Sequence, residues 1–143
     1  MKNILLVLSS VFIISSCGRY EKPFITLKSP EKRLMDKTWK LEKIVDSNGN
    51  EMISNQTISF TIEGNDSILV RTIDNITYTG SWNWLPALEG KIDKQRIVTN
   101  IQLPQVYDPR VVYDVKVLTS KKIELIDRNG AATANFRYYF IKE

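Results

Sequence analysis

The chain has 143 residues, with 20 Lys and Arg against 16 Asp and Glu, a formal charge of +4, one Cys and no His. So small a charge with no polybasic run leaves no nucleic-acid footprint. The absence of His removes the commonest metal ligand and general base, and a lone thiol excludes an internal disulfide. The length is one domain's worth and enough for a real core.

Lys2 followed by the apolar run Ile4–Ile14 and the small residues Ser15 and Ser16 has the order of a secretory signal. A spanning helix needs about 20 apolar residues, and this run is shorter and breaks into Arg19 and Glu21. The tetrad Ile14-Ser15-Ser16-Cys17 resembles the lipobox of bacterial lipoprotein precursors. That resemblance implies cleavage before Cys17, removal of residues 1–16, and acylation of Cys17. Two or three acyl chains make a stable anchor, which a single chain does not. Gly18 follows Cys17, not the Asp that by analogy retains some lipoproteins at the inner membrane. The expected location is therefore the cell envelope, at the outer membrane and facing the periplasm, with Cys17 as the membrane contact.

Residues 17–28 carry Pro23 and little periodicity, as a tether would, and the folded domain is expected over residues 29–143. Ser29 is placed to cap a helical turn from Pro30 to Met35, with Pro at the first position and Glu31 in the first turn. Leu34 and Met35 would then cover one end of the strands after them. "TWKLEKIV" is the first of eight predicted strands. "TISFTIE" alternates Ile58, Phe60 and Ile62 against polar neighbours, the period of a half-buried strand. "EGND" turns the chain, and a three-residue turn into "SILVRTI" pairs Ile68 with Ile62 and Val70 with Phe60, leaving Arg71 outside.

A tight turn at Asp74-Asn75 leads into "ITYTGSWNW", with Ile76, Tyr78, Gly80, Trp82 and Trp84 on one face. "LPALEGKID" and "PQVYDP" read as loops on either side of "QRIVTNIQL", whose Ile97, Thr99, Ile101 and Leu103 share a face. "VVYDVKVL" sets Val111, Tyr113, Val115 and Val117 against Val112, Asp114 and Lys116. A turn at Thr119-Ser120 joins it to "KIELID", with Ile123 and Leu125 inward. "RNGAA" turns into "NFRYYFIK", with Phe136, Tyr138 and Phe140 on one face. Eight strands at hairpin spacing with no crossover helix close most simply into an all-β, up-and-down antiparallel barrel. A two-sheet sandwich is the alternative.

The segment "RLMDKTWKLEKIVDSNGNE", with its helical turn, first-strand Trp and Asn-Gly turn, is similar to the opening of lipocalin-like domains of bacterial lipoproteins. "YTGSWNW", "VVYDVKVLTSKKIELID" and "FRYYFIK" resemble their middle and closing hairpins. The resemblance implies an eight-stranded barrel and an arginine packed on Trp39, for which Arg128 and Arg137 are the candidates. Lys37-Thr38-Trp39 lacks the Gly of the Gly-x-Trp motif, and no Thr-Asp-Tyr loop motif is present.

Trp39, Phe60, Tyr78, Trp82, Trp84, Tyr113 and Tyr138 are the candidate ligand-contacting residues. An eight-stranded barrel is wide enough either to be filled by such side chains or to hold one small ligand, so filling and lining are both open readings. Gly80, beside the two indoles, is expected to leave space for a ligand. Asp66, Asp74, Glu89, Asp108 and Asp127 fall at predicted turns or loops and make no catalytic pair. No metal cluster or phosphate loop is visible, and neither an enzyme nor a cofactor is expected. Two function classes remain: binding of a small apolar or amphipathic ligand in the barrel, or docking of an envelope protein through the loops 85–91 and 104–110.

Overall fold

The computed structural model describes residues 29–85, 95–104, 107–128 and 135–143. Cys17, the tether, the "RNGAA" turn and most of the 85–91 loop lie outside the described residues. The helical turn α1 (Pro30–Leu34) has the expected cap: Ser29 Oγ accepts from the Lys32 N–H at 3.3 Å, and Pro30 opens the helix. Nine strands follow: β1 (Thr38–Val45), β2 (Glu51–Met52), β3 (Gln56–Glu63), β4 (Asp66–Ile73), β5 (Ile76–Leu85), β6 (Arg96–Asn100), β7 (Arg110–Leu118), β8 (Lys122–Asp127) and β9 (Arg137–Lys142).

β1 pairs with β3, each later strand pairs antiparallel with the next, and β9 returns to pair with β1. That closure makes the expected eight-stranded up-and-down barrel. The ninth strand, β2, is an addition that pairs only with the end of β1, through Ile44–Met52 and Val45–Glu51. The loop between them is organised by Asp46, whose carboxylate accepts from the Asn48 and Asn50 backbone N–H groups at 2.8 and 2.9 Å. The Asn50 side-chain amide, donating at 2.8 Å, and then those backbone bonds hold the Asp46 carboxyl below its usual range.

One end of the barrel is shut by α1. Leu34 is fully buried, and the Trp39 indole N–H donates to the Leu34 carbonyl at 2.9 Å, tying the turn to the first strand. Phe60, Leu69, Trp82, Ile97, Leu118 and Leu125 are each no more than 1% exposed and fill the lumen behind it. Burial of each such side chain contributes about 1.5–3 kcal/mol. Phe60 and Trp82 meet edge to face at 5.4 Å, and the Trp82 N–H donates to the Thr61 carbonyl at 3.0 Å.

Three local expectations are corrected. The β3–β4 turn has two residues, not three: Glu63 pairs with Asp66, Phe60 with Leu69 and Ile58 with Arg71. Gly64 at φ 64° opens the turn in the positive-φ conformation that suits the first position of a II′ hairpin. The strand is thereby shifted by one residue, which turns every side chain over: Leu69 and Arg71 point inward, not Ile68 and Val70. On β7 a bulge between Val115 and Val117 resets the alternation, so Leu118 is buried and Val117 is not.

The third correction concerns Gly80. A Cβ there would lie 2.2 Å from the Asn100 carbonyl oxygen and 2.8 and 2.9 Å from Ile101 Cβ and Cα. The space is already occupied by the chain leaving β6, so Gly80 marks a close backbone approach and not a cavity.

Candidate functional site

The register places two populations of inward side chains at opposite ends of the barrel. Trp39, Phe60 and Trp82 are buried toward the closed end, and Trp84 is partly buried there, opposite Ile97 near the start of β6. Both fully buried indoles give their N–H to backbone carbonyls. Tyr78, Tyr113 and Tyr138 lie toward the other end, where strands run out into the 74–75 turn and the loops after β6 and β8. There Tyr78 and Tyr138 stay partly exposed although they face inward.

Arg71 is the centre of this second group. It sits between Ile58 and Tyr78 in the ladder, on the inner face, and is partly exposed. Its Nε and Nη2 donate to Gln56 Oε1 at 3.2 and 2.6 Å. The Gln56 amide is held in turn by its donation to Ser54 Oγ at 2.8 Å. From the far wall, Tyr113 on β7 faces Arg71 closely enough to feel its charge. The two residues lie on strands that do not pair, so this electrostatic influence acts across the lumen.

Tyr113 meets Tyr138 edge to face at 5.7 Å, and Asp127 stands opposite Tyr113 in the β7–β8 ladder. Burial pushes the Tyr113 phenol well above its ordinary value, against the lowering effect of Arg71. Tyr138 is also raised, first by burial and then by the charge of Asp127. Both phenols are therefore neutral donors and acceptors over a wide pH range. Among the described residues no group of His, Cys, Asp and Glu is placed to hold a metal ion.

Clefts among the described residues also lie outside the lumen. One of about 360 Å³ is lined by Val45, Asp46, Ser47, Gly49, Asn135, Arg137 and Tyr139. Another, of about 220 Å³, lies near the β7 bulge and a second bulge on β1 between Leu41 and Lys43, against Glu42, Val117, Glu124 and Tyr139. On the outer face of β7, Asp114 is 3% exposed, covered by Arg128, whose Nε donates to Oδ2 at 2.7 Å, and by Arg96 at 3.4 Å. Arg137 pairs with Glu124 at 3.7 Å. Neither candidate arginine therefore packs on Trp39; the cation over that ring is Lys37, at 5.4 Å.

The sequence pattern singles out the tyrosines but not Arg71 and Gln56. The signal for them lies in Gly64-Asn65, because Gly at the first central position of a two-residue hairpin turn fixes the register that points Arg71 inward. The sequence matches no protein-family model and no curated protein.

Proposed function

We propose that this protein is an envelope lipoprotein, anchored through Cys17 at the outer membrane, whose barrel holds a small amphipathic molecule at the end opposite α1. The observation that carries the reading is the polar group Arg71, Gln56, Tyr113, Tyr138 and Asp127 on the inner wall, partly open to solvent, above a lumen filled with apolar side chains. Burying a guanidinium inside a barrel costs stability unless it is well paired, and an apolar residue would fill the same place more cheaply. A binding role explains why Arg71 is there. The chain enters the domain at Ser29, on the closed end.

A docking role is the second reading. It is favoured by Tyr107, fully exposed in the 104–110 loop, and by Ile53, 87% exposed near the same rim. Native mass spectrometry of the protein purified from its own envelope separates the two. A small co-purifying mass supports ligand binding, and a co-purifying protein supports docking. For the anchor, Cys17→Ala is expected to move the protein from the detergent phase to the aqueous phase. A wild type already in water would defeat the lipoprotein reading.

A further inference from the structure

We infer that the ligand of this barrel is a carboxylate with a short apolar tail, bound head first, with Arg71 pairing to the head group. The inference rests on the binding reading above and adds the chemistry and the orientation of the ligand. Arg71 is held in place by a neutral oxygen, Gln56 Oε1, and faces the Tyr113 phenol across the lumen. A guanidinium has five donors in a rigid fork, and the two bonds to Gln56 orient it while supplying no negative charge. A carboxylate matches that fork with two parallel hydrogen bonds, and such charge-assisted pairs are about twice as strong as neutral ones.

The charge balance selects among anions. Asp127 acts electrostatically on both Tyr113 and Tyr138 and so borders the same group. Asp127 already balances the charge of Arg71, so a singly charged head group, which reaches Arg71 directly, is repelled less than a phosphate dianion.

The orientation follows from packing. Below Arg71 the lumen is closed by Leu69, Phe60, Trp82 and Trp39, each at most 1% exposed, and the wall at Gly80 is filled by Ile101. An alkyl tail cannot enter beneath the arginine. Above it, Gln56, Ile73 and Ile76 form the next rung of the ladder toward the mouth, and Ile76 is 59% exposed. The tail leaves across that apolar lip, toward Ile53. This is the reverse of a barrel that swallows its ligand tail first.

The test uses the full chain in lipid nanodiscs and saturation-transfer NMR titrations with hexanoate, hexanol, hexylamine and hexyl phosphate, each corrected against empty nanodiscs. Hexanoate is expected to bind at least tenfold more tightly than hexanol or hexylamine and more tightly than hexyl phosphate. Arg71→Met, which keeps the length of the side chain, is expected to bring hexanoate within about twofold of hexanol. Should Arg71→Met fail to fold, Gln56→Met leaves the charge but releases its orientation. It is then expected to weaken hexanoate several-fold while hexanol is unchanged. Hexanol or hexylamine binding as well as hexanoate, or a preference for the phosphate, overturns the carboxylate assignment and leaves the barrel a binder of something else. If none of the four binds the wild type, the carboxylate assignment falls and the binding reading falls with it.

Discussion

Gly80→Ala is the sharpest probe of how the barrel is packed. The added methyl group would stand 2.2 Å from the Asn100 carbonyl oxygen and within 3 Å of Ile101 Cα and Cβ. None of these atoms is the free end of a flexible side chain, so relief requires the chain after β6 to move. That segment is held by the Asn100–Ser81 pairing on one side and by the Ile101 N–H to Pro109 carbonyl bond, 2.9 Å, on the other. Overpacking typically costs 1–3 kcal/mol, and a backbone clash puts this site at the upper end, about 3 kcal/mol. For a domain of this size the melting temperature should fall by on the order of 10 °C. Gly64→Ala is the control. Gly64 has φ 64° and nothing within 4 Å of where a methyl group would stand, so only backbone strain of about 1–2 kcal/mol applies. Substitution by Asn, which tolerates positive φ, should restore much of the loss at Gly64 and none at Gly80. Calorimetric melts of the four variants read both effects. A Gly80→Ala protein as stable as the wild type would refute the close approach and restore the idea of a space beside Trp82.

Arg128→Ala should destabilise more than Arg96→Ala, because Arg128 makes the short, direct bonds to the buried Asp114. The cost is about 2 kcal/mol by urea denaturation, below the figure for a fully buried pair because Arg128 is more than half exposed; equal effects of the two changes would count against this. Trp39→Phe removes the donor to the Leu34 carbonyl and should cost about 1–3 kcal/mol for the carbonyl left unpaired in a buried site. An unchanged melting temperature would mean that α1 is not tied down by that bond. Tyr113 and Tyr138 both have phenols raised by burial in the folded protein. Their contribution is fully present below the unfolded tyrosine value of about 10 and is lost as pH climbs from there toward the folded values. Denaturation midpoints measured from pH 8 to 12 should be limited by this loss above about pH 10, and Tyr113→Phe should flatten the decline. A wild-type midpoint that holds to pH 12 contradicts the burial of these phenols.

Most of the architecture was legible in the sequence because antiparallel strands that are wet on one side carry an unambiguous period of two. Ile58 and Phe60, Ile123 and Leu125, and Tyr138 and Phe140 all face where that alternation puts them. Ser29-Pro30-Glu31 announced α1 through capping chemistry that depends only on neighbouring residues. The failures came where one residue was inserted or removed. The β7 bulge displaces the pattern after Val115 without any Gly or Pro to mark it, and Leu118 takes the inner place given to Val117. β2 is two residues long, too short for any period, and exists because the Asp46 carboxylate folds the Asn48-Gly49 loop back onto the end of β1.

The same arithmetic decided how much of the site could be seen. In "SILVRTI" the even residues are Ile68, Val70 and Thr72, and the odd ones Leu69, Arg71 and Ile73. Hydrophobicity alone prefers the first set less clearly than it rejects an arginine in the second, so a pattern reading turns Arg71 out to solvent. The two-residue turn overrides that preference, since Gly64 fixes the pairing of Glu63 with Asp66 and every rung after it follows. The energy for the override comes from Leu69, which is 1% exposed on the inner face, and from Gln56, which supplies the oxygen that Arg71 needs. A residue placed inside against its own hydrophobicity, and then held by a polar partner on the inner wall, is where a fold departs from what packing alone would choose. Such departures are expected at functional positions, and in this barrel they converge on the end opposite α1.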